Sequence, residues 1–283
     1  CALPIYRKAW RIIDEFKPDI AIGFGGYVSA PVMLAAHHKH VATMIHEQNS
    51  IVGVSNKMVA KYMDAIVICY EKCFEEFGRE KTRLLGNPRA TNAVHAKFDR
   101  DYFLSLGLSL HKPLILVVMG SLGSTSVNAI MKDALPAVSE RYQILFVTGK
   151  NNYEEMRKQI HAPHVKVVDY VKQLDIMAHV DLIVCRAGAT TAAEITALGT
   201  PSILVPSPYV AHNHQFYNAS VLVDHKAAVM LEEKDLNAEA LSNAIDRIMS
   251  DDLLRASMHS ASLALGKPNA SEDILNWCDE MKR

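Results

Sequence analysis

Several features that define common protein classes are scarce or missing in this 283-residue sequence. It has five cysteines, an odd number at low density, which argues against a disulfide scaffold and favours a reduced, cytosolic setting. No apolar run approaches the ~20 residues that cross a bilayer. The formal net charge is −1, so the basic excess typical of a general nucleic-acid binder is missing. No zinc set, Walker lysine loop or nucleophile elbow is found.

What the sequence does contain is a regular alternation of short apolar runs and amphipathic stretches. Continuous apolar strands that alternate with helices are typical of a parallel, doubly wound α/β sheet. Amphipathic helices are predicted over residues 124–138 and 191–198, among others. The predicted strands cover residues 19–24, 41–46, 65–69, 114–119, 142–148, 165–169, 181–185, 202–205 and 228–231.

A polar segment, residues 86–111, interrupts this alternation and separates two α/β blocks. We interpret it as the end of one domain, a linker and an entry helix. The expected domains are a partial N-terminal domain over residues 1–88, with about three strands, and a second domain over residues 89–267, with about six, the usual number for a Rossmann-like domain. A helix within residues 268–283 is expected to pack back on the first block. Two Rossmann-like domains, the first one incomplete, are therefore predicted.

Two glycine-rich loops follow predicted strands. Residues 22–31 read IGFGGYVSAP, and there a plain tight turn and a phosphate cradle are equally good interpretations. Residues 119–124 read MGSLGS, between a strand and a helix, where backbone N–H groups and serine hydroxyls suit an anion. Helix capping by Ser121 or Ser124 is compatible with that second interpretation.

A third junction, residues 185–194, reads CRAGATTAAE. Thr191 and Glu194 match the capping box T-x-x-E, in which the glutamate bonds its own helix terminus. Alternatively, the Glu194 carboxylate lies at the carboxyl edge of the strands and accepts hydrogen bonds from a vicinal diol, as acids do with ribose. Spacing alone favours the capping box.

Two polar clusters also follow strands. His46–Glu47–Gln48–Asn49–Ser50 could grip a sugar or a diphosphate, or form a hydrogen-bonded loop. Residues 206–219 read PSPYVAHNHQFYNA. One interpretation is that their polar groups face the ligand crevice at the carboxyl end of the strand, and the other is a solvated loop with Asn213 as a helix cap. Asp99 and Asp101 form a D-x-D pair, but no strand precedes it, so we expect no metal site there.

Taken together and in order, the segments GFGGYVSAP, HEQNS, GNPRA, GSLGS, CRAGATTAAEI and HQFYNA resemble the MurG family over essentially the whole chain. These enzymes are the N-acetylglucosaminyltransferases of peptidoglycan synthesis, a process that supports cell shape and division. The resemblance implies a two-domain glycosyltransferase-B fold with the active site in the cleft between the domains. It implies inverting transfer of N-acetylglucosamine (GlcNAc) from UDP-GlcNAc to the MurNAc O4 of undecaprenyl-pyrophosphoryl-MurNAc-pentapeptide, converting lipid I to lipid II.

The resemblance also implies roles for particular residues. Glu194 would bind the ribose hydroxyls, Tyr170 and the Val171 backbone would flank the uracil, and no cofactor or metal would be needed. The implied UDP-GlcNAc contacts are Asn49, Arg89, Ser121, Val171, Ala189, Thr190, Thr191, Glu194, His214 and Gln215. The implied acceptor-side residues, near the lipid diphosphate, are Gly25, Gly26, Tyr27, Ser29, His46 and Glu47.

The chain departs from the family pattern in several places. Met119 replaces a frequent glycine, Arg89 stands one position before the usual arginine, and His214 replaces a frequent glutamine. Family members begin with two further βα units, including a G-T-G-G-H loop whose histidine is usually assigned as the general base. Because this chain starts at Cys1, the base is expected upstream of it. His46 is the candidate inside the chain, and a structural role for it is favoured.

The acceptor that the resemblance implies is a membrane lipid, so a peripheral location on the cytoplasmic face of the cell membrane is also implied. Residues 3–11, LPIYRKAWR, mix apolar, aromatic and basic side chains that suit an anionic bilayer surface. Equally, Ile5, Ile12 and Ile13 could form the buried face of an amphipathic helix. Two rival functions are a UDP-GlcNAc epimerase of the same fold and a UDP-GlcNAc-binding fragment without turnover.

Overall fold

The computed structural model describes residues 2–120 and 124–282. Ten strands form within them: β1 Ile20–Gly23, β2 Ala42–Glu47, β3 Ala65–Ile68, β4 Thr82–Leu84, β5 Leu114–Val118, β6 Gln143–Val147, β7 Val165–Val168, β8 Leu182–Cys185, β9 Ser202–Leu204 and β10 Ala228–Met230. The α-helices are α1 Ala2–Phe16, α2 Ser29–His38, α3 Val54–Val59, α4 Phe74–Phe77, α5 Pro88–His95, α6 Arg100–Ser105, α7 Thr125–Ala134, α8 Tyr153–Gln159, α9 Gln173–Met177, α10 Ala189–Leu198, α11 His214–Asp224, α12 Ala238–Ser250, α13 Asp252–Leu265 and α14 Ala270–Met281.

The chain divides into two compact units, each built on one parallel sheet. Unit 1 comprises Cys1–Thr91 and Asn269–Arg283, and unit 2 comprises Asn92–Pro268. The boundary falls inside α5, three residues after the expected end of the first domain. The segment interpreted as a linker with one entry helix contains two helices, α5 and α6. The prediction of a parallel α/β fold is confirmed.

Unit 1 has a four-stranded sheet in the order β1-β2-β3-β4. One face of the sheet packs Met44, Ala65 and Val67 against Trp277 and neighbouring residues of α14. The expectation of about three strands in this block was wrong by one. β4 escaped prediction because it is three residues long and two of them, Thr82 and Arg83, are polar.

Helix α1 lies in unit 1 and packs against α2, with Ala9 and Ile13 buried beside two alanines of α2. These two positions are four residues apart and therefore share one stripe of the helix. Ile12 lies about 100° around the helix from Ile13, and it is 51% exposed. Its expected place in the buried face was wrong. None of the described helices combines the length and the apolar character needed to cross a membrane.

Unit 2 has a six-stranded parallel sheet in the order β10-β9-β8-β5-β6-β7, with the predicted number of strands. Its core consists of buried side chains such as Ile115, Val117 and Phe146. The chain runs outward from β5 through β6 to β7 and then returns to place β8 on the other side of β5. The strand order therefore reverses between β5 and β8. In open α/β sheets, ligands bind at the carboxyl ends of the strands at such a point.

Candidate functional site

The loops that follow β5 and β8 meet at this reversal point in unit 2. Helix α7 begins at Thr125 after Ser124, the residue in the N-cap position, whose side chain makes no capping hydrogen bond. Instead, the Ser124 hydroxyl accepts a hydrogen bond from Arg186 Nη2 at 3.0 Å. Arg186 directly follows β8, so this bond joins the two loops. Ser121, expected at the phosphates, lies outside the described residues.

Arg186 is the centre of a wider network that sequence reasoning missed. Its Nη1 donates to the Val205 carbonyl at 3.0 Å, beyond the end of β9. Its Nη2 lies 2.8 Å from Glu233 Oε2, as a charge contact without hydrogen-bond alignment, and both side chains are 12% exposed. Ser126, in the first turn of α7, donates to Glu233 Oε1 at 2.8 Å. The network ties the start of α7 to the ends of neighbouring strands.

Helix α10 carries Glu194 and begins earlier than the T-x-x-E pattern indicated. Its first residue is Ala189, and Gly188 occupies the N-cap position in an extended conformation. Thr191 is therefore already inside the helix, and Glu194 lies in the second turn. The capping-box interpretation was wrong, because Gly188 adopts the cap conformation and the good helix former Ala189 starts the helix.

Glu194 is only 3% exposed. Gln173, at the start of α9, donates a hydrogen bond from Nε2 to Glu194 Oε2 at 3.1 Å. Cys185, at the end of β8, is buried, and burial together with the nearby Glu194 charge raises the pKa of its thiol. That thiol therefore stays protonated and does not compete as a nucleophile.

The segment between β7 and α9 leads directly to Gln173, the residue that contacts Glu194. Tyr170 is exposed, whereas the Val171 side chain is buried, so the polar groups that Val171 can offer a ligand are those of its backbone. The Lys172 N–H donates to the Tyr102 hydroxyl at 3.0 Å. This bond anchors the segment to α6. Asp99 caps that same helix by accepting from the Tyr102 N–H at 2.9 Å.

The loop after β9 has an unusual backbone. His212 and Asn213 both adopt positive φ, 53° and 52°, which is rare for residues other than glycine. Asn213 precedes α11 but makes no side-chain cap. Gln215 accepts from the Ser207 N–H at 2.9 Å, and His214 Nδ1 lies 2.9 Å from the Ala211 carbonyl. The side chains of His214 and Gln215 thus brace the loop in which they were predicted to contact the sugar.

The other implied donor residues lie around the start of α10 and near the end of unit 1. Thr190 is exposed, and Ala189 and Thr191 are half-buried. Arg89 is half-buried in the first turn of α5, where its N–H donates to Asn87 Oδ1 at 3.0 Å. Asn87 in turn donates to Gln48 Oε1 at 3.2 Å, which links the GNPRA segment to the HEQNS loop.

In unit 1, Glu47 is as buried as Glu194, at 3% exposure. Its Oε1 accepts from the Asn49 N–H at 3.0 Å, and its Oε2 accepts from the Gly53 N–H and from Asn56 Nδ2, each at 2.9 Å. The carboxylate therefore closes the loop that follows β2. Glu47, expected on the acceptor side, faces inward and shapes that loop.

His46 is buried next to Glu47. Its Nε2–H donates to the Gly86 carbonyl at 2.9 Å, and its Nδ1 is buried without a hydrogen-bond partner in residues 2–120 and 124–282. Burial lowers the pKa of His46, although the Gly86 carbonyl and the Glu47 charge act in the opposite direction. A histidine whose acceptor nitrogen is shielded from solvent is poorly placed to take a proton from a substrate. The geometry favours the structural role.

The glycine loop of unit 1 needs its glycines. Gly25 and Gly26 have φ values of 82° and 81°, in the region that side chains disfavour. A Cβ on Gly25 would lie 3.4 Å from Asn56 Nδ2, so the loop lies against α3. Tyr27 is exposed, and Ser29 is half-buried at the start of α2.

The family descriptions that match the chain are the glycosyltransferase family 28 N-terminal domain, over residues 3–68, and C-terminal domain, over residues 114–274. A relative from Limosilactobacillus reuteri is 44% identical over 278 residues, which cover 95% of this chain and 75% of the relative. Its name is UDP-N-acetylglucosamine–N-acetylmuramyl-(pentapeptide) pyrophosphoryl-undecaprenol N-acetylglucosamine transferase.

The chain is also similar to solved structures. The crystal structure of Acinetobacter baumannii MurG aligns with a TM-score of 0.82 at 25% identity, over 99% of this chain and 78% of that one. S. aureus MnaA in complex with UDP aligns with a TM-score of 0.74 at 15% identity, over 97% and 79% of the two chains. The second likeness shows the fold alone.

Proposed function

The chain belongs to the MurG family of glycosyltransferases, and on that premise we propose that unit 2 binds the donor and unit 1 the acceptor. The chain is an N-acetylglucosaminyltransferase of peptidoglycan synthesis. It transfers GlcNAc from UDP-GlcNAc to undecaprenyl-pyrophosphoryl-MurNAc-pentapeptide, which converts lipid I to lipid II.

The reaction is an inverting displacement. The MurNAc O4 attacks the anomeric carbon of GlcNAc as the bond from that carbon to the UDP oxygen breaks. The hydroxyl proton passes to a base, which we assign to none of the described side chains. The departing diphosphate gains negative charge, and the N-termini of α7 and α10 provide N–H dipoles that stabilise it.

The donor site is proposed around Glu194, whose buried carboxylate carries the argument. It lies on the helix that follows β8, at the strand-order reversal where nucleotides bind in this class of fold. Its oxygens would accept hydrogen bonds from the two ribose hydroxyls. The Val171 backbone would contact the uracil beside Tyr170, and the remaining donor contacts would be Asn49, Arg89, Ser121, Ala189, Thr190, Thr191, His214 and Gln215.

The acceptor side is proposed on the glycine loop of unit 1. Positive φ at Gly25 and Gly26 exposes backbone that a lipid diphosphate could approach closely. Tyr27 and Ser29 would line this loop. His46 and Glu47 would stabilise the neighbouring backbone through their hydrogen bonds to Gly86, Asn49, Gly53 and Asn56.

A peripheral position on the cytoplasmic membrane surface is proposed from α1. Apolar Leu3, Ile12 and Phe16 are exposed on this helix, as are basic Arg7 and Arg11. Exposed apolar and basic side chains on one helix suit an anionic lipid surface, where each basic residue contributes about 1 kcal/mol. The buried stripe of Ala9 and Ile13 holds the same helix to α2.

The experiment that tests the donor site is calorimetric titration of UDP into the Glu194→Gln variant. This change keeps the volume and removes the charge. We expect UDP affinity to fall about 30-fold, since hydrogen bonds to charged groups contribute about 1.5–3 kcal/mol. Glu239→Gln, at an exposed position in α12 of the same unit, serves as the control and should bind UDP normally. Unchanged affinity in Glu194→Gln would contradict the ribose role.

The activity itself is tested with a soluble lipid I analogue. We expect GlcNAc transfer that requires both UDP-GlcNAc and the acceptor, and no change in UDP-GlcNAc incubated alone. Conversion of UDP-GlcNAc without an acceptor would indicate an epimerase instead. UDP binding with no transfer would indicate a binding protein.

A further inference from the structure

Gln173, the first residue of α9, reaches the Glu194 carboxylate from a different element. We propose that Gln173 is a positioning residue for donor binding, whose amide holds that carboxylate in the orientation that accepts the ribose hydroxyls. This inference rests on the ribose role proposed for Glu194.

The contact joins two segments that are 21 residues apart in the chain. Gln173 Nε2 lies 3.1 Å from Glu194 Oε2 and 3.3 Å from Met177 Sδ. The Met177 side chain is buried, so the Gln173 amide is held between a fixed core residue and the carboxylate.

The backbone that carries Gln173 is itself fixed. Lys172 donates its N–H to the Tyr102 hydroxyl at 3.0 Å, and the Asp99 N–H donates to the Asp175 carbonyl at 3.0 Å. Ile176, in the same short helix, is fully buried. Both ends of the Gln173–Glu194 contact therefore belong to well-packed structure, as a preorganised site requires.

An amide is suited to this task because it is a neutral donor. A carboxylate has two oxygens with about four lone-pair sites, and the Gln173 amide occupies one of them, on Oε2. A lysine or arginine in the same place would neutralise the charge and compete with the hydroxyls. The amide orients the carboxylate and leaves its negative charge for the ligand.

The position also couples two parts of the donor site. Gln173 follows Tyr170 and Val171, the residues proposed to flank the uracil, by two or three positions. The Gln173 side chain fixes the segment that carries Tyr170 and Val171 relative to α10, which carries Glu194. Orienting both before binding lowers the ordering cost at the moment of binding.

The test compares UDP with 2′,3′-dideoxy-UDP, which lacks both ribose hydroxyls, in wild type and in Gln173→Met. Methionine keeps the length and removes the donor. We expect Gln173→Met to lose about tenfold in UDP affinity and to bind the dideoxy nucleotide like wild type. In the transfer assay, KM for UDP-GlcNAc should rise about tenfold and kcat should change less than about twofold, because the ribose contact is the same in ground and transition states.

The matched control is Gln159→Met. Gln159 donates to Glu155 Oε1 at 3.2 Å on the exposed surface of α8 in the same unit. The substitution therefore removes a Gln–Glu hydrogen bond of the same kind at a position outside the proposed site. It should leave both affinities unchanged. Thermal unfolding of each variant checks that the fold is retained.

The outcomes separate this inference from the function on which it rests. If wild type binds UDP and the dideoxy nucleotide equally, the ribose role of Glu194 fails. If wild type prefers UDP and Gln173→Met keeps both the preference and the affinity, the role of Gln173 alone fails. An equal loss for both nucleotides would show that Gln173 only supports the fold of its loop, and would also overturn the inference.

Discussion

Two glutamates, one in each unit, are equally buried, each with 3% of its surface exposed, but they are held in different ways. Glu47, in unit 1, accepts from two backbone N–H groups and one side chain, all within nine residues of it. Glu194, in unit 2, accepts from Gln173, a side chain on another element. The first carboxylate closes its own loop, and the second is oriented from a distance.

The difference shows that burial alone does not identify a ligand-binding carboxylate. A buried charge must be hydrogen-bonded in either case. What distinguishes the two is that the described donors to Glu47 belong to the loop that it shapes, whereas Glu194 has a donor in a separate segment, α9. Separating fold stability from UDP affinity in variants of each unit tests this distinction.

The largest effect on stability is expected for Glu47→Ala. It leaves the Asn49 and Gly53 N–H groups and the Asn56 amide without their acceptor, at about 1–3 kcal/mol each and less than additively. We expect the free energy of unfolding to fall by about 4 kcal/mol, measured by urea denaturation. UDP affinity of the folded fraction should fall far less than in Glu194→Gln, because Glu47 reaches a proposed donor contact only through the Asn49 backbone. A large loss of UDP affinity would mean that Glu47 is not confined to a structural role.

A smaller loss of stability, accompanied by weaker UDP binding, is expected for Arg186→Met. The change removes the positive charge beside the largely buried Glu233 carboxylate, at a cost of about 3 kcal/mol. It also frees Ser124, at the start of α7, so UDP affinity should fall as well. Arg186→Met/Glu233→Leu should regain most of the stability, since removing both charges avoids the stranded one. If stability returns in the double variant and UDP affinity does not, Arg186 positions α7 as the contacts indicate.

The smallest effect concerns pH and His46. Burial holds its pKa in the folded state below the unfolded value of about 6.5. The stabilisation is therefore present above that pH and is lost as the pH falls, because only the unfolded chain takes up the proton. Glu47 and the Cys69 thiol, 3.9 Å away, face this ring. Between pH 7 and 5 the stability of wild type should fall more steeply than that of His46→Gln, in thermal scans at each pH. Parallel slopes would contradict this.

Much of the fold could be predicted because its strands are continuous apolar runs. β5, Leu114–Val118, and β8, Leu182–Cys185, are almost entirely apolar and lie between turn residues, so their pattern was unambiguous. β4 was missed because Thr82 and Arg83 give no apolar pattern. The start of α10 was misplaced because a T-x-x-E match begins at Thr191, three residues after the real cap, Gly188. Local patterns cannot decide between two such starts.

The candidate site was predictable as a set of segments and not as a set of contacts. Family resemblance pointed to Glu194 and the loop before it. The contacts of this region join residues far apart in the sequence. Arg186 contacts Glu233, 47 residues later, and Glu194 contacts Gln173, 21 residues earlier. Only the packing of the strands brings them together, so neither spacing nor composition carries a signal for them.

The place of α14 in unit 1 has a consequence for the order in which the protein acquires its structure. Unit 2 is one continuous stretch, and all of its strands are synthesised before residue 269. Unit 1 begins first, but Met44, Ala65 and Val67 stay uncovered until Ile274 and Trp277 have left the ribosome. Unit 1, whose translation begins before that of unit 2, is thus the last to be completed, and until then its sheet exposes an apolar face that chaperones would recognise.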